Sequence, residues 1–581
     1  MMIWITNSRY RIGLVCLLIA ANAALVGCNN EAEIVRQARR KQKQQLANEA
    51  ATVDHLNEAA GYISRMVELD PQAATRQINY HLNAWLEASP PKVDRQLSPM
   101  AAQRMQSFPD EFDAVRPDSD TFLPGDIDYF RRCFLLSRVA NWAGDGPLHD
   151  PILAGWLADE ESGLDPSQVK TLEKACRLFD WTLRNIQLQP MQFPANFPRV
   201  APKEMPPGLV FDGPGYRQTL EECLWRGSGD GLQRSRVFLA LCQQAGLDAC
   251  MLAIKHPDRD SVAPWLVGVR AGQQVFLFDA IIGTHVPGPG QEGIATLTQA
   301  KEDPAVLRRM KIAGLYDYPV DSSWLSKVVA FIDIPTEAFC WRMKALQQGL
   351  TGDARMQLTY DPESIAAWEE LELIDEVQAW SIDALARRYH FAMQRAMSDD
   401  LKVYLDQQMR WGMLSPNFPL ANARWNHLSG EFDRDEDDGA RILYMNLRIP
   451  DTDIENLPYD VNLQVQLNAR RQPGQPQEAY DQQLRIIQAQ YRQAKQAATF
   501  WLALIQFEDS RYENAATWQQ KRVLGRDTQS PWGPSARYNV GRALEHLDRP
   551  DEAIEYYKTQ RDPQEHGNRI RARLLSREVA E

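Results

Sequence analysis

The stretch from Gly227 to Asp279 constrains the fold more than any other part of this chain. It begins GSGDGLQRSRVFLALCQQAGLDACMLAI and, after a short interruption, continues PWLVGVRAGQQVFLFDAIIG. A Gly-rich loop leads into a run with apolar residues at Val237, Phe238, Leu241, Cys242 and Ala245. That is the spacing of one buried helix face, and Gly246 supplies the stop. Ala249 to Ile254 follows as an apolar strand, and two further strands, Trp265 to Arg270 and Gln274 to Ala280, are joined by Ala271-Gly272-Gln273. A loop, a helix and three strands in succession predict a small antiparallel sheet packed on helices.

This succession resembles the core of the transglutaminase-like superfamily of papain-like folds. In that family a Cys opens the helix, a His opens the second strand in a His-x-Trp pattern, and an Asp closes the third. The matching positions here are Gly231, Ala263 (within Ala263-Pro264-Trp265) and Asp279. A glycine and an alanine can supply neither thiolate nor imidazole, so the resemblance implies a catalytically degenerate member. Trp265 and Asp279 remain as candidates for fixing a polar ligand in the former groove; the simpler role for Asp279 is bonding backbone amides at the strand end. Upstream, Asp165-Pro166-Ser167-Gln168 is a helix start with its capping residues in place. Leu172, Cys176, Phe179, Leu183 and Ile186 then mark a buried face, similar to the family helix that precedes the nucleophile loop.

The rival reading is a cysteine transamidase or peptidase whose nucleophile has moved. Cys223 lies close by, but in Glu221-Glu222-Cys223, where neighbouring carboxylates raise a thiol pKa. His256 and His285 are the nearest bases in sequence. The loop Gly227-Ser228-Gly229-Asp230-Gly231 is weakly similar to a phosphate cradle but lacks the Lys-Ser/Thr of a P-loop. Asp433 to Gly439 invites a calcium reading that fails, because Met445 falls where the loop needs its twelfth-position Glu. No cofactor or metal is therefore expected.

At the start of the chain, Arg9 and Arg11 precede an apolar run from Ile12 to Val26, the layout of a secretory signal. Its end, Leu25-Val26-Gly27-Cys28, resembles the lipobox of bacterial lipoproteins, which implies cleavage before Cys28 and acylation there. An uncleaved anchor is the alternative, but the run is short of the ~20 residues that span a bilayer. A membrane-anchored lipoprotein of the cell envelope, facing the periplasm or the exterior, is the expectation. The cluster Arg36, Arg39, Arg40, Lys41 and Lys43 fits lipid headgroups or a solvated spacer equally. Export leaves Cys133, Cys176, Cys223, Cys242, Cys250 and Cys340 where disulfides can form; Cys176 and Cys242, on apolar helix faces, read better as buried thiols.

With 581 residues, about three to four domains are expected. A formal charge of -13 excludes a phosphate-neutralising nucleic-acid binder. Residues 28–160 read as a helical membrane-proximal region after the signal at 1–27, and 161–300 as the transglutaminase-like domain. A Pro- and aromatic-rich connection, Gln189 to Gly215, lies within it as a covering loop that could wall a groove. Residues 301–477 read as a helical linker domain, with paired helices from Pro362 to Met409 that include Leu371, Ile374 and Ala379. Residues 478–577 resemble tetratricopeptide repeats. In Ala536 to Lys558, Gly541, Leu544, Ala553 and Tyr557 take the repeat positions; Phe500 to Trp518 is a weaker copy, with Glu478 to Ala498 as a separate supporting helix. The fold class expected is α+β, mainly helical. The function expected is non-catalytic binding or scaffolding of proteins or peptides through the repeats, with the membrane held through Cys28.

Overall fold

The computed structural model describes residues 54–576, except 90–91, 108, 191–214, 256–261, 327, 381, 417, 435–437, 526–529 and 559–561. The signal segment, Cys28, the basic cluster, most of the Gln189–Gly215 connection, His256 and the middle of the acidic run lie outside the described residues.

The helices that frame the molecule start where local chemistry dictates. In chain order they are α1 (His55–Ser64), α2 (Pro71–Ala88), α3 (Pro109–Val115), α4 (Pro124–Asp145), α5 (Pro151–Ala158), α6 (Pro166–Asn185), α7 (Leu220–Arg226) and α8 (Gly231–Gln244). After the sheet come α9 (Ile382–Asp399), α10 (Leu401–Trp411), α11 (Pro419–Leu428), α12 (Gln477–Glu508), α13 (Tyr512–Trp518), α14 (Gly533–His546), α15 (Pro550–Lys558) and α16 (Glu565–Ser576). The α6 start forms a capping box: Asp165 accepts from the Ser167 and Gln168 amides while the Gln168 side chain accepts from the Asp165 amide. Asp230 and Gln233 cap α8 in the same way. Past Ala245, Gly246 takes φ of 71°, a left-handed conformation that ends the helix at little cost for glycine.

The sheet is larger than expected, and mixed. Strands β1 (Ala249–Lys255), β2 (Val262–Ala271), β3 (Gln274–Asp279), β4 (Thr284–His285), β5 (Val328–Ile332) and β6 (Ile374–Ala379) lie in the order β4-β3-β2-β1-β5-β6. All neighbours are antiparallel except β5 and β6. That pair is parallel because its connection crosses over through the helices Trp341–Gly349 and Pro362–Glu369. The expectation of a purely antiparallel sheet confined to 161–300 is thus corrected. So is the helical reading of Ile374 and Ala379, which sit in β6. The five buried residues of β5 form a short continuous apolar run, which periodicity cannot assign to strand or helix. Between β1 and β2 the register shifts, so that Leu252 faces Leu266 while Ala253 faces Pro264. Trp265 is the extra residue of a bulge that absorbs a proline unable to donate to the ladder.

The fold is α+β and mainly helical, and one apolar core runs through it from Ala59 to Ala572. Phe179, Phe238 and Phe278 meet at 5.1–5.4 Å between α6, α8 and the sheet. Phe134 of α4 stacks on Trp425 of α11 at 6.2 Å. A second core surrounds Phe500 and Trp501. Boundaries at 160, 300 and 477 divide the sequence without dividing the main core. Glu478–Ala498 is not a separate helix, since nothing breaks the chain before Phe500 and the whole of Gln477–Glu508 is continuous.

Candidate functional site

The loop leading into α8 is shaped by glycines at which a side chain would be crowded. Gly227, at φ of 62°, closes α7, and a Cβ there would sit 3.1 Å from the Asn185 carbonyl. Gly231 is the first residue of α8. A Cβ on it would lie 2.8 Å from Ile281 Cγ2 and 2.9 Å from Ile281 Cα, closer than van der Waals contact allows. Ile281 follows Asp279 by two residues, so the structure brings Gly231 and the end of β3 together. Ala263 pairs with Ile254 on the outer part of β2 and offers only a methyl group.

Asp279 is 2 % exposed and fully engaged. One carboxylate oxygen accepts from the Ile281 and Ile282 amides at 3.0 and 3.3 Å; the other accepts from the Tyr318 hydroxyl at 2.8 Å. Tyr318 in turn accepts from Trp265 Nε1 at 2.9 Å. Trp265 and Asp279 are thereby joined through a tyrosine. Burial pushes the Asp279 carboxyl up to about 6, partly opposed by the Tyr318 hydrogen bond. Burial does the same to Asp230, up to about 6. Tyr318 escaped sequence reading because it lies in an irregular segment with no period to mark it.

The segment leading into α16, and α16 itself, cover the turn after β3. Arg234, one turn into α8 and fully buried, donates Nε to the Ala280 carbonyl at 2.8 Å and Nη1 to Gln564 Oε1 at 2.6 Å. A Cβ on Gly567 would stand 2.2 Å from the Ile282 carbonyl oxygen, so α16 presses on this turn backbone to backbone. His566 bonds the Met310 carbonyl at 2.6 Å and stacks on Tyr316 at 5.0 Å. Gln564, His566 and Gly567 carry no motif, and only the tertiary fold shows their role.

All six described cysteines, Cys133, Cys176, Cys223, Cys242, Cys250 and Cys340, are free and buried. Burial pushes Cys223 up to about 12, and Asp230 pushes the same way. Cys133 is raised to about 11 and Cys340 to about 12, again by burial first. His285 pairs with Phe278 in the ladder and is held down to about 4 by burial, with a nearby Asp150 acting against that.

In the C-terminal part α12 packs with α13 and α14 with α15, and Gly541, Leu544, Ala553 and Tyr557 face inward. Leu544, Ala553 and Tyr557 are at most 1 % exposed, and a Cβ on Gly541 would meet the Tyr557 ring at 2.6 Å. Beneath them lies a buried charge network. Arg571 bridges Asp150 at 2.9 Å and Glu545 at 2.5 Å; Arg542 bridges Asp150 at 3.1 Å and Asp180 at 2.9 Å; Arg184 bridges Asp180 at 2.7 Å and Glu508 at 2.5 Å. Five helices, α6, α12, α14, α16 and the N-cap of α5, are tied by it. Gly541, Leu544, Ala553 and Tyr557 are therefore internal packing residues, and a partner would have to meet other side chains.

An open cavity of about 940 Å³ lies elsewhere, between α4, α7, α9 and the end of α10. Glu221, Glu222 and Trp225 of α7 form one wall, and Arg388, Phe391 and Arg395 of α9 another. Trp411 and Leu414 close one side. His390 faces Glu222 at 3.4 Å; that hydrogen bond raises the imidazole pKa, while in Glu222 burial works against the same bond and the net shift is downward. No linear pattern marks this site, because its residues are scattered and only packing unites them.

Comparison with protein-family models, with curated proteins and with solved structures found no match. Among the described residues no group of three or more His, Cys, Asp or Glu is placed to hold a metal ion, and no helix is long and apolar enough to cross a membrane.

Proposed function

We propose that this protein is a lipid-anchored component of the cell envelope that binds proteins or peptides without acting on them chemically. Its centre, in this reading, is a transglutaminase-like domain that has lost its reaction and keeps its frame, followed by helical hairpins of the tetratricopeptide kind. One observation carries the non-catalytic part: the space that a nucleophile at Gly231 would need is filled by Ile281. Two others agree with it. Tyr318 has taken up the acid that would orient a histidine, and α16 covers the turn beside it. Binding through the repeat positions Gly541, Leu544, Ala553 and Tyr557 finds no support in their burial, so the binding surface is sought on the open cavity.

The test is alkylation of the folded full chain by iodoacetamide at neutral pH, followed by peptide mapping. Uniformly slow labelling of the six buried cysteines is expected, since protonated, buried thiols are inert. Rapid labelling of a single one, Cys223 above all, would overturn the reading in favour of an enzyme. The anchor is tested separately: Cys28→Ser should release the protein from the membrane fraction, and retention would remove the lipoprotein part.

A further inference from the structure

The 940 Å³ cavity has the shape and polarity of a peptide site. One face of α9, from Ala384 through Arg388 and Phe391 to Arg395, lines it for three turns, a length of about 16 Å at ~1.5 Å per residue. An extended chain covers that in about five residues at ~3.3 Å each. The volume stands at the upper end of the ~300–1,000 Å³ usual for ligand pockets.

Its chemistry is that of an unfilled binding surface. Trp225 and Trp411 are half-buried in its lining, and neither indole N–H donates to another described residue. Two accessible donors on broad apolar rings suit backbone carbonyls flanking a large side chain. Phe391, also in the lining, is 57 % exposed, a costly state for an aromatic residue unless something covers it.

At the α4 end Arg131, Arg387 and Arg388 each pair with an acid, which leaves Asp128 there and Arg395 at the far end as the loosely held charges, opposite in sign. The α4 end lies beside the start of α9, since Arg132 pairs with Asp383 at 3.6 Å. There the Asp128 carboxylate is 64 % exposed, and Arg131, its nearest cation at 4.0 Å, is engaged more closely by Glu221 at 2.8 Å. Two turns beyond Arg388, about 10 Å along the helix, Arg395 is exposed and pairs with no described acid.

We propose that this groove binds an extended peptide segment of about five residues, with a basic side chain at Asp128, a large apolar side chain between Trp225 and Trp411, and a carboxylate at Arg395. The segment therefore carries opposite charges on either side of an aromatic or aliphatic centre. This rests on the non-catalytic reading above and adds the ligand class.

Fluorescein-labelled pentapeptides test it against the full chain in detergent, by fluorescence polarisation. Lys-Ala-Phe-Ala-Glu should bind saturably. The like-charged Lys-Ala-Phe-Ala-Lys and Glu-Ala-Phe-Ala-Glu, and the centre-less Lys-Ala-Ala-Ala-Glu, should bind about tenfold more weakly or worse, the scale on which a few anchor contacts decide affinity. Trp411→Ala should weaken the first peptide by about tenfold. Arg395→Glu, at an exposed position that leaves folding intact, should transfer preference to the doubly basic peptide. Absence of saturable binding by any peptide overturns the proposal, as does an unchanged ranking in Arg395→Glu. Binding of monomeric short-chain phosphatidylcholine that Trp411→Ala abolishes, with no peptide bound, would assign the groove to lipid and overturn it equally. Cysteines inert to iodoacetamide alongside such failures would leave the non-catalytic reading standing.

Discussion

Ile281 holds the place of a side chain on Gly231: its Cγ2 lies 2.8 Å from where that residue's Cβ would be. Restoring a cysteine by Gly231→Cys should thus lower stability by about 1–3 kcal/mol, the range for overpacking a filled interior. Ile281→Ala in the same chain should recover part of the loss by opening room. Urea melts of the three proteins check this, and a single variant as stable as the parent would show that the turn yields freely.

Tyr318 is the joint between Trp265 and Asp279. Tyr318→Phe removes a hydroxyl that donates to the buried acid and accepts from the buried indole. Leaving two buried polar groups short of a partner should cost about 1–3 kcal/mol or more in unfolding free energy. Asp279→Asn combined with it should cost less than the sum of the single changes, because the two belong to one chain of hydrogen bonds. Strict additivity would contradict the geometry.

Asp279 also sets a pH dependence. Its folded-state pKa, about 6, stands above the ordinary carboxylate value of 3.8, so between roughly pH 4 and 6 the folded protein binds more protons than the unfolded chain. The sign follows: stability from this group is present at low pH and is lost as pH rises through that window. Asp279→Asn, which cannot ionise, should gain on the parent between pH 4 and 7 by up to about 3 kcal/mol, two pKa units at ~1.4 kcal/mol each. Denaturation at the two pH values measures it, and a difference independent of pH would sink it. Asp230, raised alike to about 6, should behave in the same direction.

Arg571 ties α16 to Asp150 and Glu545 with almost no access to water. Arg571→Ala should cost about 3–5 kcal/mol, because Glu545 is left buried without its closest cation and Asp150 with Arg542 alone. Arg549→Ala, at the exposed Glu552 pair, is the control and should leave the melt unchanged. Equal effects in the two variants would mean that the buried network adds nothing.

The sequence carried its local signals faithfully and its long-range ones hardly at all. Asp165 and Gln168, Gly246, and the runs that became β1, β2 and β3 were legible because caps, stops and alternation act over a few residues. β5 was not, since Val328 to Ile332 is too short and too uniformly apolar to show a period. β6 was misread because Ile374 and Ala379 happen to extend a helical spacing begun at Trp368. That Ile281 packs against Gly231, that Tyr318 reaches Asp279 and that Gln564 reaches Arg234 depends on contacts between distant segments. The groove is the extreme case, as Asp128, Glu222, Phe391 and Trp411 share no pattern that a linear reading could join.

The bond from Arg234 to Gln564 spans 330 positions. A ribosome must therefore complete most of this polypeptide before the turn at Ile281 can be covered. Until then the nascent chain holds a buried-type arginine and an apolar edge open to water, a state that holdase chaperones and proteases recognise. Non-local closure of this kind slows folding. A premature stop anywhere before residue 564 should accordingly yield a species cleared by quality control rather than a shorter working protein.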